Sequence, residues 1–133
     1  MPAPPSALPQ GLIDQVAEAV RRVRVQILWK PGKDQAHLRK RIARGHLLPG
    51  TAPAEYEEVI RSIVTHPEAL VYVYQHGSVY YPTIVASSAG RTWLVMFSMD
   101  GILETAFPPN RPDTYFTDEL GYHLLGRVRE IVR

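Results

Sequence analysis

The sequence predicts an α+β fold: N-terminal helices packed on one face of a twisted antiparallel sheet of four strands, five if residues 23–29 join it, with a C-terminal helix. Three observations carry this. Apolar residues recur at helical spacing before residue 67, four β-rich runs with short glycine-bearing connectors occupy 70–107, and an apolar stripe at helical spacing closes the chain. A chain of 133 residues, 45% apolar and 21% charged, has the size and composition of one globular core.

Residues 1–11 hold four prolines and a glycine and read as a flexible lead that adds nothing to the fold, leaving 12–133 as a single domain. From Leu12, the apolar positions Ile13, Val16, Ala17 and Val20 predict a helix to about Arg22. Val23, Val25 and Ile27 then alternate with Arg24, Gln26 and Leu28 before the turn "KPGK", predicting a short strand, with continued helix as the alternative. Asp34 as N-cap and Gly45 just past the C-terminus bound the next helix, anchored by Leu38 and Ile42.

Pro53 suits the first position of a further helix, whose Tyr56, Val59, Ile60, Ile63 and Val64 face the core before it stops near His66-Pro67. Strands at 70–75, 78–87, 92–98 and 102–107 follow as a meander, and Asp100-Gly101 suits a type I′ turn. Pro82 marks its strand as an edge or a bulge at that point. "FPPNRPD" ends the sheet, and Leu120, Leu124, Val128 and Ile131 share one face of a last helix from about Thr117.

The net charge of +2 conceals a basic third: between Arg21 and Arg44 lie nine Lys/Arg and one acid, Asp34. A field of this kind concentrates polyanions, with nucleic acid first among them. Within the helix at 34–44, His37, Arg41 and Arg44 fall on one face with Lys40 beside them. Such a row of like charges costs a helix about a few tenths of a kcal/mol per pair with no acid nearby to offset it, which favours a face that meets an anion. The alternative is a solvated face that touches nothing.

Several chemistries are excluded by motif. The five histidines show no ligand spacing and the acids do not cluster, so no metal site is expected; GxGxxG, GxxxxGK[ST] and GxSxG do not occur. With no cysteine there is no disulfide framework, no apolar run nears the roughly 18 residues of a membrane span, and the opening lacks a secretion signal, so a cytoplasmic location without a cofactor is expected. What remains suits metal-free RNA cleavage. There a 2′-hydroxyl attacks the adjacent phosphate, a base takes its proton, an acid protonates the leaving 5′-oxygen, and cations hold the pentacoordinate oxyanion. Histidine titrates in the range for either proton step, and arginine binds two phosphate oxygens at once.

"AHLRKRIARGHL", followed by "EYEEVIRSIVTHPE", a sheet of hairpins and the last strand "ILETAF", resembles the short RelE/ParE-like proteins of the barnase–EndoU–colicin–RelE superfamily. Many of these open on a helix of pattern H-x-x-x-R-x-x-R-G, matched here by His37, Arg41, Arg44 and Gly45. The resemblance covers residues 34–108. It implies a metal-independent ribonuclease toxin or toxin-type domain, neutralised by a cognate antitoxin or immunity protein, with His37, Arg41, Arg44 and Thr105 lining the site. The superfamily also holds non-catalytic members, so an RNA- or protein-binding module of the same fold is the alternative. One departure is "GHL", where an aliphatic residue commonly follows the glycine; it makes His46 either an added catalytic group or a helix-end residue.

Each candidate has a structural alternative. His37 can pack between helices, His46 can serve the helix dipole, and Arg41 and Arg44 can pair with Glu55, Glu57 or Glu58. Glu104 rivals Thr105, because neighbours on a strand point oppositely. Among the strand tyrosines, Tyr80 is the candidate for stacking on a base, with Lys40 as a further contact to substrate.

Overall fold

A computed structural model describes residues 8–132, and it is α+β. In chain order the elements are α1 (Gln10–Val25), β1 (Leu28–Trp29), α2 (Lys33–Ala43), α3 (Pro53–Val64), β2 (Leu70–His76), β3 (Val79–Ser88), β4 (Arg91–Phe97) and β5 (Ile102–Phe107). The short α4 (Pro112–Tyr115), a 3₁₀ turn at Asp118–Leu120, β6 (Tyr122–Arg127) and α5 (Val128–Ile131) complete the chain. The sheet has six strands in the order β1-β5-β4-β3-β2-β6 and is mixed: β1 runs parallel to β5, and every other pair is antiparallel.

Besides the mixed six-stranded sheet, where an antiparallel sheet of four or five strands is expected, five expectations about single segments are corrected by this architecture. Residues 1–7 of the expected lead lie outside the described residues, but residues 8–11 do contribute: Leu8 packs against the core and α1 starts at Gln10. The segment 23–25 continues α1, because Val23 is fully buried at helical spacing from Val16 and Val20, and only Leu28–Trp29 pair as a strand. Asp34 sits in the first turn of α2, where its charge still complements the dipole, while Gly32, at φ 80°, is the N-cap.

The largest difference is the C-terminal segment, where a strand at Tyr122–Arg127 replaces most of the expected helix and only Val128–Ile131 is helical. Tyr122 and Val128 are buried there, whereas Leu120 and Leu124, two of the four residues in the expected stripe, are exposed. The hairpin at 98–102 also differs: Gly101 alone takes positive φ and its N–H donates to Ser98 O, the pattern of a three-residue loop, while Ala89-Gly90 carries the two positive φ values of a type I′ turn. Pro82 does sit at a local edge. It faces Val73 on β2, and β3 pairs with β4 only from Thr83 onward.

Helices α1 and α3 cover one face, where Val20, Val23, Ile60 and Ile63 meet Val71, Ile84, Val95 and Phe97. Each such side chain taken fully out of water contributes about 1.5–3 kcal/mol. The opposite face carries Val85, Leu94, Met96 and Tyr122 under half-buried aromatics that include Tyr74, Phe107 and Tyr115. A bulge sets which β5 residues reach that face. Phe97 faces Leu103 and Met96 faces Thr105, so Glu104 is the extra residue; Leu103 and Ala106 point to the helix side, and Thr105 and Phe107 to the other.

Beyond Leu103 the outer edge of β5 has no strand partner, because β1 pairs only with residues 102 and 103. Tyr56 closes part of this gap. Its buried hydroxyl donates to Ala106 O at 2.6 Å, and burial pushes its pKa far up, so it stays a neutral donor. Losing that hydroxyl leaves a buried carbonyl unsatisfied, a cost of about 1–3 kcal/mol. Helix α2 lies against the same stretch and brings the basic face to it.

Candidate active site

Helix α2 ends in a Schellman motif, and that motif builds the site. Gly45 takes φ 74°, its N–H donates to Ile42 O at 3.0 Å, and His46 N–H donates to Arg41 O at 2.8 Å. In such a motif the residue after the glycine commonly makes an apolar contact with the one whose carbonyl it caps. Here those two residues are His46 and Arg41, so helix termination delivers an imidazole to a guanidinium.

Arg41 is 3% exposed, its Cζ lies 5.3 Å from the centroid of the Phe107 ring, and its Nε and Nη1 are buried with no hydrogen-bond partner. Burial lowers its pKa, with Arg44 adding to the effect, yet arginine has such a margin that the group remains a cation. The acids proposed to neutralise it are engaged elsewhere or apart. Glu55 accepts from Ala52 N–H at 2.9 Å, Glu57 pairs with Arg61 at 3.5 Å, and no ion pair among the described residues takes up Lys40, Arg41, Arg44, Arg91 or Arg111.

Two histidines flank this cation. His37 Nδ1 lies 3.5 Å from Thr105 Oγ1, at the outer limit of a hydrogen bond, and its ring packs at 5.1 Å from that of Trp29. Burial lowers its pKa first, and Arg41, Lys40 and Lys33 lower it further. His46 is lowered by burial and then by Arg41, Arg91 and Arg44, and its Nδ1 is buried without a partner. Both rings are therefore neutral at pH 7, able to accept a proton and poised to hold one once an anion offsets the surrounding cations.

In front lies an open cavity of about 770 Å³ walled by Arg44, His46, Phe107, residues 108–111 and Tyr115. Arg41 does not line it but lies behind two of its wall residues: His46, whose N–H donates to the Arg41 carbonyl, and Phe107, whose ring carries the guanidinium. No family model, characterised protein or solved structure matches the chain. The site is thus read from its own geometry.

Of the residues singled out in the sequence, Arg44 and His46 stand in the cavity wall with Arg41 behind it, while His37 and Thr105 face each other at 3.5 Å outside that wall. Lys40 is exposed on α2. Glu104, the bulge residue, has no ion-pair or hydrogen-bond partner, and Tyr80 packs against the helix-side core, apart from the cavity. Four side chains of this wall escaped the sequence reading, Phe107, Asn110, Arg111 and Tyr115, as did Arg91 beside it, which donates to His46 O at 3.4 Å. "FPPNRPD" carried the available signal, since three prolines around an exposed Asn-Arg pair make a stiff display loop as well as a sheet terminator. Among the remaining histidines, His66 Nδ1 accepts from Glu68 N–H and His123 contacts Gln75 and Asp118, which are local structural roles.

Proposed function

We propose that this chain is a metal-independent ribonuclease of toxin type, akin to the RelE/ParE-like proteins it resembles, cleaving RNA by attack of a 2′-hydroxyl on the adjacent phosphate. The observation that carries this reading is Arg41: a buried guanidinium with two unpartnered nitrogens, held behind the cavity-wall residues Phe107 and His46. A cation left unpaired out of water destabilises the fold unless a ligand supplies the acceptor, and the tetrahedral and pentacoordinate oxyanions of phosphate chemistry are that ligand.

In this scheme Arg41 and Arg44 hold the phosphate oxygens. One of His37 and His46 removes the 2′-hydroxyl proton, and the other, protonated as the phosphate offsets the local cations, returns a proton to the leaving 5′-oxygen. Thr105 orients the His37 ring, and Lys40 contributes to the field that draws RNA in. A protein that silences such a toxin, an antitoxin or immunity protein, would meet the basic face of α2 with acidic groups, and the expected setting is the cytoplasm.

One observation favours a second reading, a non-catalytic RNA-binding module: His37 and Thr105 stand outside the cavity wall that holds Arg44 and His46. Incubating the protein with total RNA in EDTA separates the two. Cleavage that Arg41→Ala and His46→Ala each abolish supports the nuclease; salt-sensitive retention of intact RNA supports the binder, and neither cleavage nor retention removes both. Among the described residues no helix is long and apolar enough to cross a membrane.

A further inference from the structure

We propose that the cavity beyond Arg44 and His46 is a nucleotide subsite: Phe107 and Tyr115 receive a base, Asn110 reads it as adenine, and Arg44 and Arg111 hold its phosphate. This rests on the RNA reading above and names what part of the substrate selects the cleavage site.

Size and lining both fit. At about 770 Å³ the cavity falls in the range of roughly 300–1,000 Å³ of small-molecule sites. Its apolar wall is Phe107 and Tyr115, edge to face at 6.0 Å, with Tyr115 braced by Phe116 at 5.2 Å and Tyr122 at 5.4 Å. Aromatic faces fixed from behind suit a flat base and cost little to order. Cations supply the rest of the charge, with no carboxylate in the wall, so the ligand that matches is both aromatic and anionic. An acidic peptide would answer the arginines and leave the aromatic wall unused.

Asn110 and Arg111 are presented on a loop that is stiff by composition. Pro108 and Pro109 precede them and are buried, Pro112 follows, and each fixes its own φ. Two exposed side chains on a fixed tip lose little freedom on binding, which is where discrimination gains. An asparagine amide places one acceptor and one donor pair side by side, matching the N6 amino group and N7 of adenine, whereas an arginine beside it grips phosphate without regard to base.

The test uses 2′-O-methyl hexanucleotides of uniform A, C, G or U, which lack the attacking hydroxyl, in fluorescence anisotropy titrations over a range of salt. Wild type binds the A strand about tenfold more tightly than the others. Asn110→Ala brings the four strands within about threefold of one another, while Arg111→Ala weakens all four alike and lowers the salt slope by about 0.7. No preference for adenine, a preference that survives Asn110→Ala, loss of all four strands in that variant, or equal binding of a hexaglutamate peptide overturns the subsite and leaves RNA binding standing. Failure of wild type to bind any strand overturns the RNA reading itself.

Discussion

The guanidinium of Arg41 lies over the ring of Phe107, 5.3 Å from its centroid, while its Nε and Nη1 are buried without a hydrogen-bond partner among the described residues. A cation–π contact of this kind returns about 0.5–2 kcal/mol, against about 1–3 kcal/mol for leaving a buried donor unmade. The residue is a local liability that phosphate binding would relieve. Arg41→Met, which keeps the bulk and drops the charge, is expected to leave stability unchanged or raise it by about 1 kcal/mol while cutting RNA cleavage at least about 100-fold. Thermal unfolding beside a cleavage assay checks this; a less stable variant that still cleaves would contradict it.

Acidity should act on both histidines in one direction. Each has a folded-state pKa below 6.5, so between that lowered value and about 6.5 the unfolded chain binds more protons than the folded one. The stability tied to the neutral rings is complete above pH 6.5 and is lost as pH falls through the lowered values. A His37→Gln/His46→Gln double variant is expected to show a shallower fall in melting temperature between pH 7.5 and 5 than wild type. Catalysis follows the same sign: with base and acid both shifted down, the bell-shaped profile of kcat/KM peaks below pH 6.5. A peak above 7, or parallel melting curves for the two proteins, would show that these rings do not carry the effect.

Thr105 and Glu104 are neighbours with opposite expectations, set by the bulge. Thr105 Oγ1 is the group facing His37 Nδ1 at 3.5 Å, and Glu104 is the residue without a strand partner. Thr105→Val removes the hydroxyl that orients the ring, and kcat is expected to fall about tenfold with a stability change of about 1 kcal/mol or less; Thr105→Ser restores most of the rate. Glu104→Gln leaves the rate within about twofold. If Glu104→Gln is the variant that stops cleavage, the carboxylate is the base and Thr105 a strand residue.

The helices α2 and α3 and the four central strands were legible because local signals agreed there: Gly45 ended α2, Pro53 opened α3, and β-rich runs with short glycine-bearing connectors marked strands whose centre is buried on both faces. Helical spacing placed His37 and Arg41 one turn apart on α2, whereas Arg44 is the C-cap and is exposed where Arg41 is buried. Two things were hidden. Phe107 and Asn110 acquire meaning only when the chain folds residues 107–115 back over the end of α2, a long-range placement that no local pattern encodes. At 117–131, Leu120, Leu124, Val128 and Ile131 imitated one helical stripe although they belong to three elements, a 3₁₀ turn, β6 and α5, and a bulge in β6 between the residues facing Val71 and Tyr72 also breaks strand alternation. Two glycines inside the stripe, Gly121 and Gly126, were the signal against a helix.

Gly121 turns that correction into a measurement. It takes φ 94°, and a Cβ placed there would lie 2.7 Å from Gln75 O and 3.1 Å from the Tyr74 ring. Its carbonyl accepts from Gln75 N–H at 2.8 Å, so the backbone itself fastens the start of β6 to β2, and no side chain can yield to make room. Gly121→Ala therefore meets both an unfavourable backbone region and a contact with backbone oxygen, and is expected to destabilise the fold by at least about 2 kcal/mol. In a helix the same substitution would stabilise by about 1 kcal/mol. Chemical denaturation of this one variant thus distinguishes the turn and strand at 117–127 from a helix by the sign of the change, and a more stable Gly121→Ala would return the segment to the helical assignment.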